Sequence, residues 1–528
     1  MTQPMNAIQG FMHSWTTTSE DQEGRSIFGR VEREKLFDCM EMAKSELGAR
    51  LSLMTARDYN RSTDRFSLWT ILDIPAEKRY LVIETPLPDN NLSYPTLTPV
   101  FPNASWPERE IRDMFGIVAN CTPDTRPFLR KGAWPADVFP LRKDVTPDRA
   151  YPIERVLLPT IPVEGEGIIE IPVGPIHAGI IEPGHFRLQV VGDTILSLDA
   201  QFAYCHRGIE KISENKAPFE ALLLAERQCG TCSVSNALSF CQAVENASRV
   251  RIPLRAALIR VIAGELERLY NHVNDVSAIS AGIGLAFVTQ QGLRLKEELQ
   301  RLNASLFGHR FLRNIVIPGG VRFDPGTGPL NELNHILAPI ARQLDTIVSN
   351  AMSNSIFLDR LETTGVLTRH NASELGGVGP VARASGVSID TRHDHPYDGY
   401  LMLPEFSVPT RREGDVMARF RMRLDEVPTT LALIDAAVKA LPDDNAPLAV
   451  DIPVIPGGTW GIGSTESARG ENLTFIALDG NGRIDRNAIR SASYLNWPLI
   501  PTTVRGNIVP DFPLINKSFE LCYADVDR

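Results

Sequence analysis

A proline-rich stretch at residues 146–167 constrains the fold of this 528-residue chain more than any other feature. It holds four prolines and two glycines. Because proline fixes φ and donates no backbone hydrogen bond, we expect an extended linker here and not a helix or strand. The linker separates a segment of ordinary domain size from a much larger remainder. We therefore predict domains at residues 31–145 and 168–528, after a polar N-terminal segment at residues 1–30.

The pattern of apolar residues in these two segments predicts an α+β fold. Residues 31–47 show helical spacing, and alternating runs at 65–74 and 80–84 flank a turn, which together predict a small α/β N-terminal domain. The larger segment opens with a hairpin pattern around Gly192-Asp193. Long apolar stripes at helical spacing follow, so we predict a large, mainly helical domain with small antiparallel sheets.

Composition excludes several classes of protein. The formal net charge of -10 at pH 7 argues against nucleic-acid binding through a basic surface. No apolar run reaches the roughly 18 residues needed to span a bilayer, and residues 1–25 lack the apolar core of a signal peptide. No glycine-rich dinucleotide loop follows a strand, so we expect no NAD site in this chain. These patterns predict a cytoplasmic chain without a transmembrane segment, which can still dock on a membrane complex.

Cysteine spacing gives the sharpest local signal. Cys229 and Cys232 form a CxxC pair, and Cys522 lies near the end of the sequence. Two thiols three residues apart can bind one soft metal ion or form a redox-active disulfide. Because a soft metal site needs about four donors, the pair alone leaves both alternatives open.

Longer motifs resemble those of known families. Residues 174–187 and 206–211 resemble the opening blocks of the large subunits of membrane-bound, energy-converting [NiFe]-hydrogenases, and residues 466–471 fit a later block. Residues 106–117, which read WPEREIRDMFGI, closely resemble the signature of the thirty-kilodalton subunit of complex I. Residues 139–144 resemble the closing block of that subunit.

The order of these motifs resembles a fused subunit, as in the formate hydrogenlyase large-subunit type. In this arrangement a domain like the thirty-kilodalton subunit of complex I precedes a domain like its forty-nine-kilodalton subunit. The resemblance covers roughly residues 30–528. It implies a core electron-transfer subunit of a membrane-bound oxidoreductase, peripheral on the cytoplasmic side of the membrane.

The same resemblance implies several partner proteins. One is a small iron–sulfur subunit, like the twenty-kilodalton subunit of complex I, which would hold the iron–sulfur clusters. The others are further peripheral-arm subunits and a membrane arm.

The resemblance also implies a metal site. In [NiFe]-hydrogenases two CxxC pairs hold nickel and iron, so the ligands here would be Cys229, Cys232, Cys522 and, in the fourth place, Asp525. A carboxylate is a hard oxygen donor and a poor substitute for a thiolate that bridges nickel and iron. The sequence therefore predicts a degenerate nickel–iron site.

Other residues resemble the complex I subunit. Residues 525–528 resemble its acidic-Val-Asp-Arg ending, whereas Gly230 falls near the position of its quinone-binding tyrosine. Glu182 matches the carboxylate that passes protons in the hydrogenases, and His185 is the best match to the quinone-facing histidine of complex I. The resemblance thus implies that Glu182 and His185 are the catalytic residues.

Three hypotheses for the function remain open. The first is an electron-transfer subunit that receives electrons from an iron–sulfur partner and couples them to proton handling at the membrane arm. The second is an active [NiFe]-hydrogenase in which Asp525 is a variant ligand. The third is a non-redox coupling or scaffold subunit in which the old active-site cleft is vestigial.

Two further polar clusters favour structural roles. Glu265 and Glu267 fall on different faces of one predicted helix, so we expect packing and buried ion pairs and not a paired acid–base site. The triplet at residues 393–395 reads His-Asp-His. Since its alternate side chains would face different directions, we predict a surface loop.

Overall fold

The structure is a computed structural model that describes residues 8, 10, 11, 15, 18–20, 25–61, 63–131, 134–146, 148–152, 159–177 and 181–528. Its strands are β1 (Thr18–Glu20), β2 (Ser26–Arg30), β3 (Arg50–Asp58), β4 (Phe66–Ile74), β5 (Arg79–Leu87), β6 (Ser93–Pro95), β7 (Val118–Asn120), β8 (Ile168–Val173), β9 (His185–Val191), β10 (Thr194–Gln201), β11 (Val316–Ile317), β12 (Gly320–Val321), β13 (Thr459–Ser467), β14 (Gly470–Leu478) and β15 (Ile484–Arg490). Its helices are α1 (Leu36–Leu47), α2 (Ser105–Phe115), α3 (Ile209–Ser213), α4 (Pro218–Ala225), α5 (Ser233–Ser248), α6 (Leu254–Gly282), α7 (Ala286–Phe307), α8 (Thr327–Asn331), α9 (Leu333–Met352), α10 (Ser355–Leu361), α11 (Arg369–Glu374), α12 (Gly379–Ala384), α13 (Thr391–Asp394), α14 (Val416–Lys439), α15 (Ala492–Asn496), α16 (Leu499–Val504), α17 (Phe512–Phe519) and α18 (Tyr523–Asp527). The predicted α+β class is confirmed.

A five-stranded sheet in the order β1-β2-β5-β4-β3 forms the N-terminal part of the fold. Strands β3, β4 and β5 are antiparallel neighbours, whereas β2 runs parallel to β5. β4 is buried along its whole length because both faces of the sheet are covered. The hairpin predicted at residues 65–74 and 80–84 is confirmed. Strand β2 lies within residues 1–30, where the sequence predicted only a polar segment.

The helix α2 carries most of the 106–117 motif. It ends at Gly116, whose φ of 70° lies in the left-handed region. A Cβ atom at Gly116 would lie 2.5 Å from the Phe139 ring, so this position requires glycine. Arg142 donates from Nε to the carbonyl of the last residue of α2 at 2.7 Å. The 106–117 and 139–144 motifs therefore pack together as one structural unit.

The proline-rich stretch leads from this part of the fold to a small sheet. Its described residues, 146, 148–152 and 159–167, lie outside helices and strands. A three-stranded antiparallel sheet in the order β10-β9-β8 follows, and β9 and β10 are joined at Gly192-Asp193, as predicted. The domain boundaries drawn from the sequence remain a prediction.

Helix α6 lies at the centre of the larger, mainly helical part. It is 29 residues long and buried over nearly its whole length, and α7, α14 and α17 pack along it. Because it is enclosed, its polar side chains have internal partners. Glu265 accepts from Arg392 at 2.9 Å, and His272 lies 2.8 Å from Glu426. Among the described residues, no helix is both long enough and apolar enough to cross a membrane.

The sheet β13-β14-β15 joins the two parts of the fold. On one face α5 approaches so closely that a Cβ atom at Gly463 would lie 2.0 Å from the Ser239 carbonyl oxygen. The other face meets the N-terminal sheet in an apolar cluster that includes Trp69, Val82 and Phe475. The rings of Trp69 and Phe475 are 4.8 Å apart between centroids. This contact is packed like the interior of a single domain.

The surface loop predicted at residues 393–395 is wrong. Residues Thr391–Asp394 form α13, and His395 is only 4% exposed. Its Nε2 atom lies 2.7 Å from Asp73 Oδ1, and its ring stacks on Tyr80 at 4.2 Å between centroids. Contacts with residues of the distant N-terminal sheet bury His395, and the local sequence pattern does not report such contacts.

Candidate functional site

The CxxC pair lies in the loop between α4 and α5. Cys229 and Cys232 are 2% and 1% exposed. A side chain from α6 caps the first turn of α5: Glu267 accepts from the backbone nitrogens of Val234 at 2.6 Å and Ser235 at 3.0 Å. Glu267 thus fixes the thiol loop. Sequence reasoning predicted packing and ion pairs for Glu265 and Glu267; among the described residues, Glu265 forms ion pairs with Arg268 and Arg392, whereas Glu267 bonds backbone nitrogens.

The pH dependence of stability in a Glu267 variant tests this cap. Burial raises the pKa of Glu267 from an ordinary 4.5 to about 7. Between these values the folded chain holds a proton that the unfolded chain releases, so stability falls as the pH rises through this range and stays lower above it. In Glu267→Gln this contribution is absent, so the loss of stability between pH 5 and pH 8 should be smaller than in the parent, by about 2 kcal/mol.

Thermal unfolding at the two pH values measures this difference. The exposed Glu46→Gln is the matched control and should behave like the parent. An equal loss of stability in the parent and in Glu267→Gln would contradict the assignment.

The second part of the site is the segment around Cys522 and α18. The Cys522 sulfur accepts the backbone N–H of Asp525 at 3.3 Å and so caps α18. The carbonyl of Asp525 accepts from Gln228 Nε2 and from Ser491 Oγ, each at 3.2 Å. Because Gln228 precedes Cys229, these bonds hold the segment against the thiol loop.

Three sulfur atoms meet where these two segments touch. Thr231 Oγ1 lies 3.4 Å from the Cys229 sulfur and 3.9 Å from the Cys232 sulfur. Interaction with the Cys232 thiol, followed by interaction with the Cys522 thiol, holds the pKa of Cys229 well below its usual range. Interaction with Cys229 raises the pKa of Cys232 and of Cys522 well above theirs. Of the three sulfurs, Cys229 is therefore the one that loses its proton most readily.

Arg469 and Asp525 border this thiol cluster. Arg469 pairs with Asp275 at 3.3 Å and lies near enough to Cys232 and Cys229 to interact with negative charge on either sulfur. Its Nη1 atom is buried and has no hydrogen-bond partner among the residues that the structure describes. Burial, and then the charge of Cys229, raise the pKa of Asp525 to about 8. At pH 7 Asp525 is therefore mostly a neutral carboxyl group.

Glu182 reaches the cluster from the loop before β9. Its Oε2 atom accepts the backbone N–H of Ala524 at 2.7 Å and lies 3.7 Å from Cys522 Sγ. Glu182 and Cys522 are both half-buried. A carboxylate in this position can take a proton from Cys522 and return it.

His185 lies apart from the thiols. It is the first residue of β9 and pairs with Gln201 across the sheet. Burial lowers its pKa, and the positive charges of Arg187 and Lys131 lower it further. The structure thus brings five of the six predicted site residues together and leaves out His185. Its role as a catalytic residue remains a prediction.

Arg207 ties the two thiol-bearing segments to each other. Its side chain donates to the carbonyls of Gln228 at 2.8 Å and Ala524 at 3.2 Å. Its backbone nitrogen donates to the carbonyl of Arg528 at 2.7 Å. Arg207, a residue of the 206–211 motif, therefore bonds both segments that form the cleft.

Arg528 joins this region to the N-terminal part of the fold. Its guanidinium bonds Glu110 on α2 at 2.6 Å, Glu210 at 3.0 Å and the carbonyl of Ile489 at 2.8 Å. A cavity of about 320 Å³ opens beside it. Residues from both parts of the chain line this cavity, among them Met114, Leu129, Trp134, Leu141, Tyr151 and Ile212.

Sequence reasoning missed three residues of the site. Arg207 lies in the 206–211 motif and Arg469 lies in the 466–471 motif, but neither motif indicated what its arginine does. Glu267 had no local signal, because the turn that it caps belongs to another helix.

The donor set does not fit a dinuclear nickel–iron centre. Such a centre shares thiolates between two metals, whereas this cleft offers three sulfurs and, in the fourth place, the Asp525 carboxyl group, which is a hard oxygen donor. In the described part of the chain, no group of three or more His, Cys, Asp and Glu side chains is placed to hold a metal ion. The predicted ligands lie together as a thiol cluster, and their role as ligands remains a prediction.

Three protein families together match most of the chain, each over different residues. Residues 29–151 match the family described as respiratory-chain NADH dehydrogenase, 30 Kd subunit. Residues 283–457 and 453–528 match the 49 Kd subunit of the same enzyme. Residues 207–278, which include the CxxC pair, match the nickel-dependent hydrogenase family.

Individual relatives match large parts of the chain. Formate hydrogenlyase subunit 5 of Escherichia coli (strain K12) is 31% identical over 98% of this chain and 90% of that protein. The C/D 2 subunit of NADH-quinone oxidoreductase from Aquifex aeolicus (strain VF5) is 26% identical, with 90% of each chain covered. A solved structure titled as the membrane-bound sulfane sulfur reductase, an archaeal respiratory membrane complex, covers 70% of this chain and all of its own, with 27% identity and a TM-score of 0.63. The chain therefore belongs to the family of oxidoreductase subunits that fuse the two complex I domains matched above, the second of them related to the large subunits of [NiFe]-hydrogenases.

Proposed function

We propose that this chain is the core electron-transfer subunit in the peripheral arm of a membrane-bound oxidoreductase related to complex I and energy-converting hydrogenases. The observation that carries the proposal is the cleft in which Glu182, the CxxC loop and Cys522 meet. Three thiol groups and a carboxylate gathered in one cleft can exchange electrons and protons together. The names of the relatives, which include a hydrogenlyase, a quinone oxidoreductase and a membrane-bound reductase, support this reading.

The electrons would come from a partner protein. The thiols of the cleft are too few to bind an iron–sulfur cluster of their own, which takes about four cysteines. We therefore infer a small iron–sulfur subunit like the twenty-kilodalton subunit of complex I, other peripheral-arm subunits and a membrane arm, with this chain on the cytoplasmic side. The relative described as an archaeal respiratory membrane complex supports such an assembly.

In this mechanism Arg469 stabilises negative charge and Glu182 transfers the proton. Arg469 stabilises negative charge that collects on the Cys232 or Cys229 sulfur, because its guanidinium interacts with the charge of both. Glu182 accepts or supplies the proton at Cys522, 3.7 Å away. Electrons and protons therefore reach the acceptor at the same place. Quinone is the less favoured acceptor, since Gly230 offers no side-chain donor.

Metal analysis separates this function from an active [NiFe]-hydrogenase. Because one carboxyl group stands in place of a bridging thiolate, we expect nickel below about a tenth of an atom per chain in the intact purified complex. Iron should be accounted for by the clusters of the partner subunits. Mass spectrometry of complex from cells grown with added nickel makes the measurement. Nickel near one atom per chain would favour the hydrogenase with Asp525 as a variant ligand.

A further inference from the structure

The cavity beside Arg528 is a second site, apart from the thiol cluster. Its lining residues, all in the described part of the chain, include neither Glu182 nor any of the three clustered thiols. Its volume of about 320 Å³ lies in the range of roughly 300–1,000 Å³ that is usual for small-molecule sites. We propose that this cavity binds a small carboxylic acid with an apolar body. The inference goes beyond the proposed function and does not depend on it.

Buried apolar side chains and two aromatic rings line much of the cavity. Met114, Leu129 and Leu141 belong to the hydrophobic core and also border the cavity. The rings of Trp134 and Tyr151 lie side by side, with 5.3 Å between their centroids, and form one wall. A ligand with an apolar body removes these surfaces from water when it binds, which favours the complex.

Arg130 brings to the cavity a guanidinium that forms no ion pair with a described residue. Its Nη2 atom donates to the carbonyls of Trp134, at 3.4 Å, and of Pro135, whereas Asp113 accepts the backbone N–H of Arg130 at 3.2 Å. The Nε atom is buried and has no hydrogen-bond partner in the part of the chain that the structure describes. Because a buried donor without a partner is costly, a ligand that supplies an anionic acceptor is favoured here.

The two carboxylates at the cavity do not neutralise Arg130. Glu110 pairs with Arg528 at 2.6 Å. Glu210 pairs with Arg528 at 3.0 Å and with Arg486 at 2.9 Å. Two carboxylates are thus balanced by two guanidinium groups, and the charge of Arg130 remains in excess.

Two further arginines at the cavity add to this excess of positive charge. Arg207 donates from its side chain to backbone carbonyls, and Arg149 lies over the Tyr151 ring at 5.1 Å. The planar guanidinium group matches a carboxylate in shape and charge. A phosphate dianion fits less well, because it would lose more hydration beside so much apolar surface.

Calorimetric titration of the purified full chain with two probes tests this site. The probes are 2-naphthoate and decanoate, which carry the same carboxylate on a planar ring system and on an alkyl chain. We expect at least one of them to bind once per chain with a Kd below about 1 mM. Tighter binding of 2-naphthoate identifies the natural ligand as an aromatic acid, and tighter binding of decanoate identifies it as a fatty acid. The uncharged 2-naphthalenemethanol should bind about tenfold more weakly than 2-naphthoate, because it lacks the anionic acceptor.

Variants at the cavity locate the bound probe. Ile212 lines the cavity and is 40% exposed, so a charged side chain is tolerated there. Ile212→Glu should weaken binding of the carboxylate about tenfold, whereas Ile212→Lys should bind at least as tightly as the parent. Arg130→Gln should also weaken binding about tenfold. Ile356→Glu is the matched control, because Ile356 is exposed on α10, outside the cavity, and its replacement should leave the Kd unchanged.

A folded parent chain that binds neither carboxylate below about 1 mM overturns the proposal. So does equal affinity for 2-naphthoate and 2-naphthalenemethanol, or an equal effect of Ile212→Glu and Ile356→Glu. Near-ultraviolet circular dichroism reports whether each variant is folded, and the two exposed positions decide the result if Arg130→Gln does not fold. Because the titration involves neither electron transfer nor a partner protein, its failure leaves the proposed function to be judged separately, by turnover of the assembled complex.

Discussion

Replacing Glu182 with glutamine should lower the proton-coupled turnover of the assembled complex by about 100-fold, the usual scale for a positioned acid–base group. Glutamine still offers an oxygen to the backbone N–H of Ala524, which bonds Glu182 at 2.7 Å. The local structure is therefore retained, while the group that exchanges a proton with Cys522 is lost. The measurement is the turnover rate of the purified complex with its own acceptor, followed together with proton uptake.

A matched control comes from the neighbouring strand. Glu170 lies exposed on β8, so Glu170→Gln should leave turnover unchanged. If Glu182→Gln assembles normally and turns over at the parental rate, the carboxylate does not act in proton transfer. Together with unchanged turnover in Cys229→Ser, that result would favour the non-redox coupling or scaffold subunit.

Replacing Arg528 with alanine should lower the free energy of unfolding by about 3–5 kcal/mol, as expected when one partner of a buried ion pair is removed. The Arg528 side chain is almost fully buried and bonds both Glu110 and Glu210. Its loss leaves these two carboxylates without their shared cation. Chemical denaturation of the full chain, followed by tryptophan fluorescence, measures the change.

Two further variants test whether the loss of stability comes from the buried ion pairs of Arg528. Arg301 pairs with Glu297 on the surface and its side chain is 79% exposed, so Arg301→Ala should cost about 1 kcal/mol or less. Neutralising Glu110 in the Arg528→Ala background should recover part of the lost stability. A loss no larger than that of Arg301→Ala would show that Arg528 does not lock the two parts of the fold together.

Much of the architecture could be predicted from local sequence. The turn at Gly192-Asp193 and the apolar stripe that became α6 are short-range patterns, and the structure contains both. Motif resemblance also brought Cys229, Cys522 and Glu182 into one hypothesis, although the two cysteines are far apart in the sequence.

The rest depends on contacts that no local pattern reports. Glu267 caps a helix to which it does not belong, and His395 is buried by residues of the other part of the chain. The role of Arg469 arises only when the chain folds and brings the CxxC loop close to it. Sequence patterns describe one element at a time, whereas these roles arise where two distant elements meet.

The packing of Trp69 and Val82 against the sheet that carries Phe475 has a consequence for how such subunits are made. Apolar contacts of this kind are typical of obligate complexes. The peptide linkage strengthens the association, because it raises the effective concentration of each half at the other. It also fixes their stoichiometry, because each ribosome that finishes the chain delivers both halves in equal number.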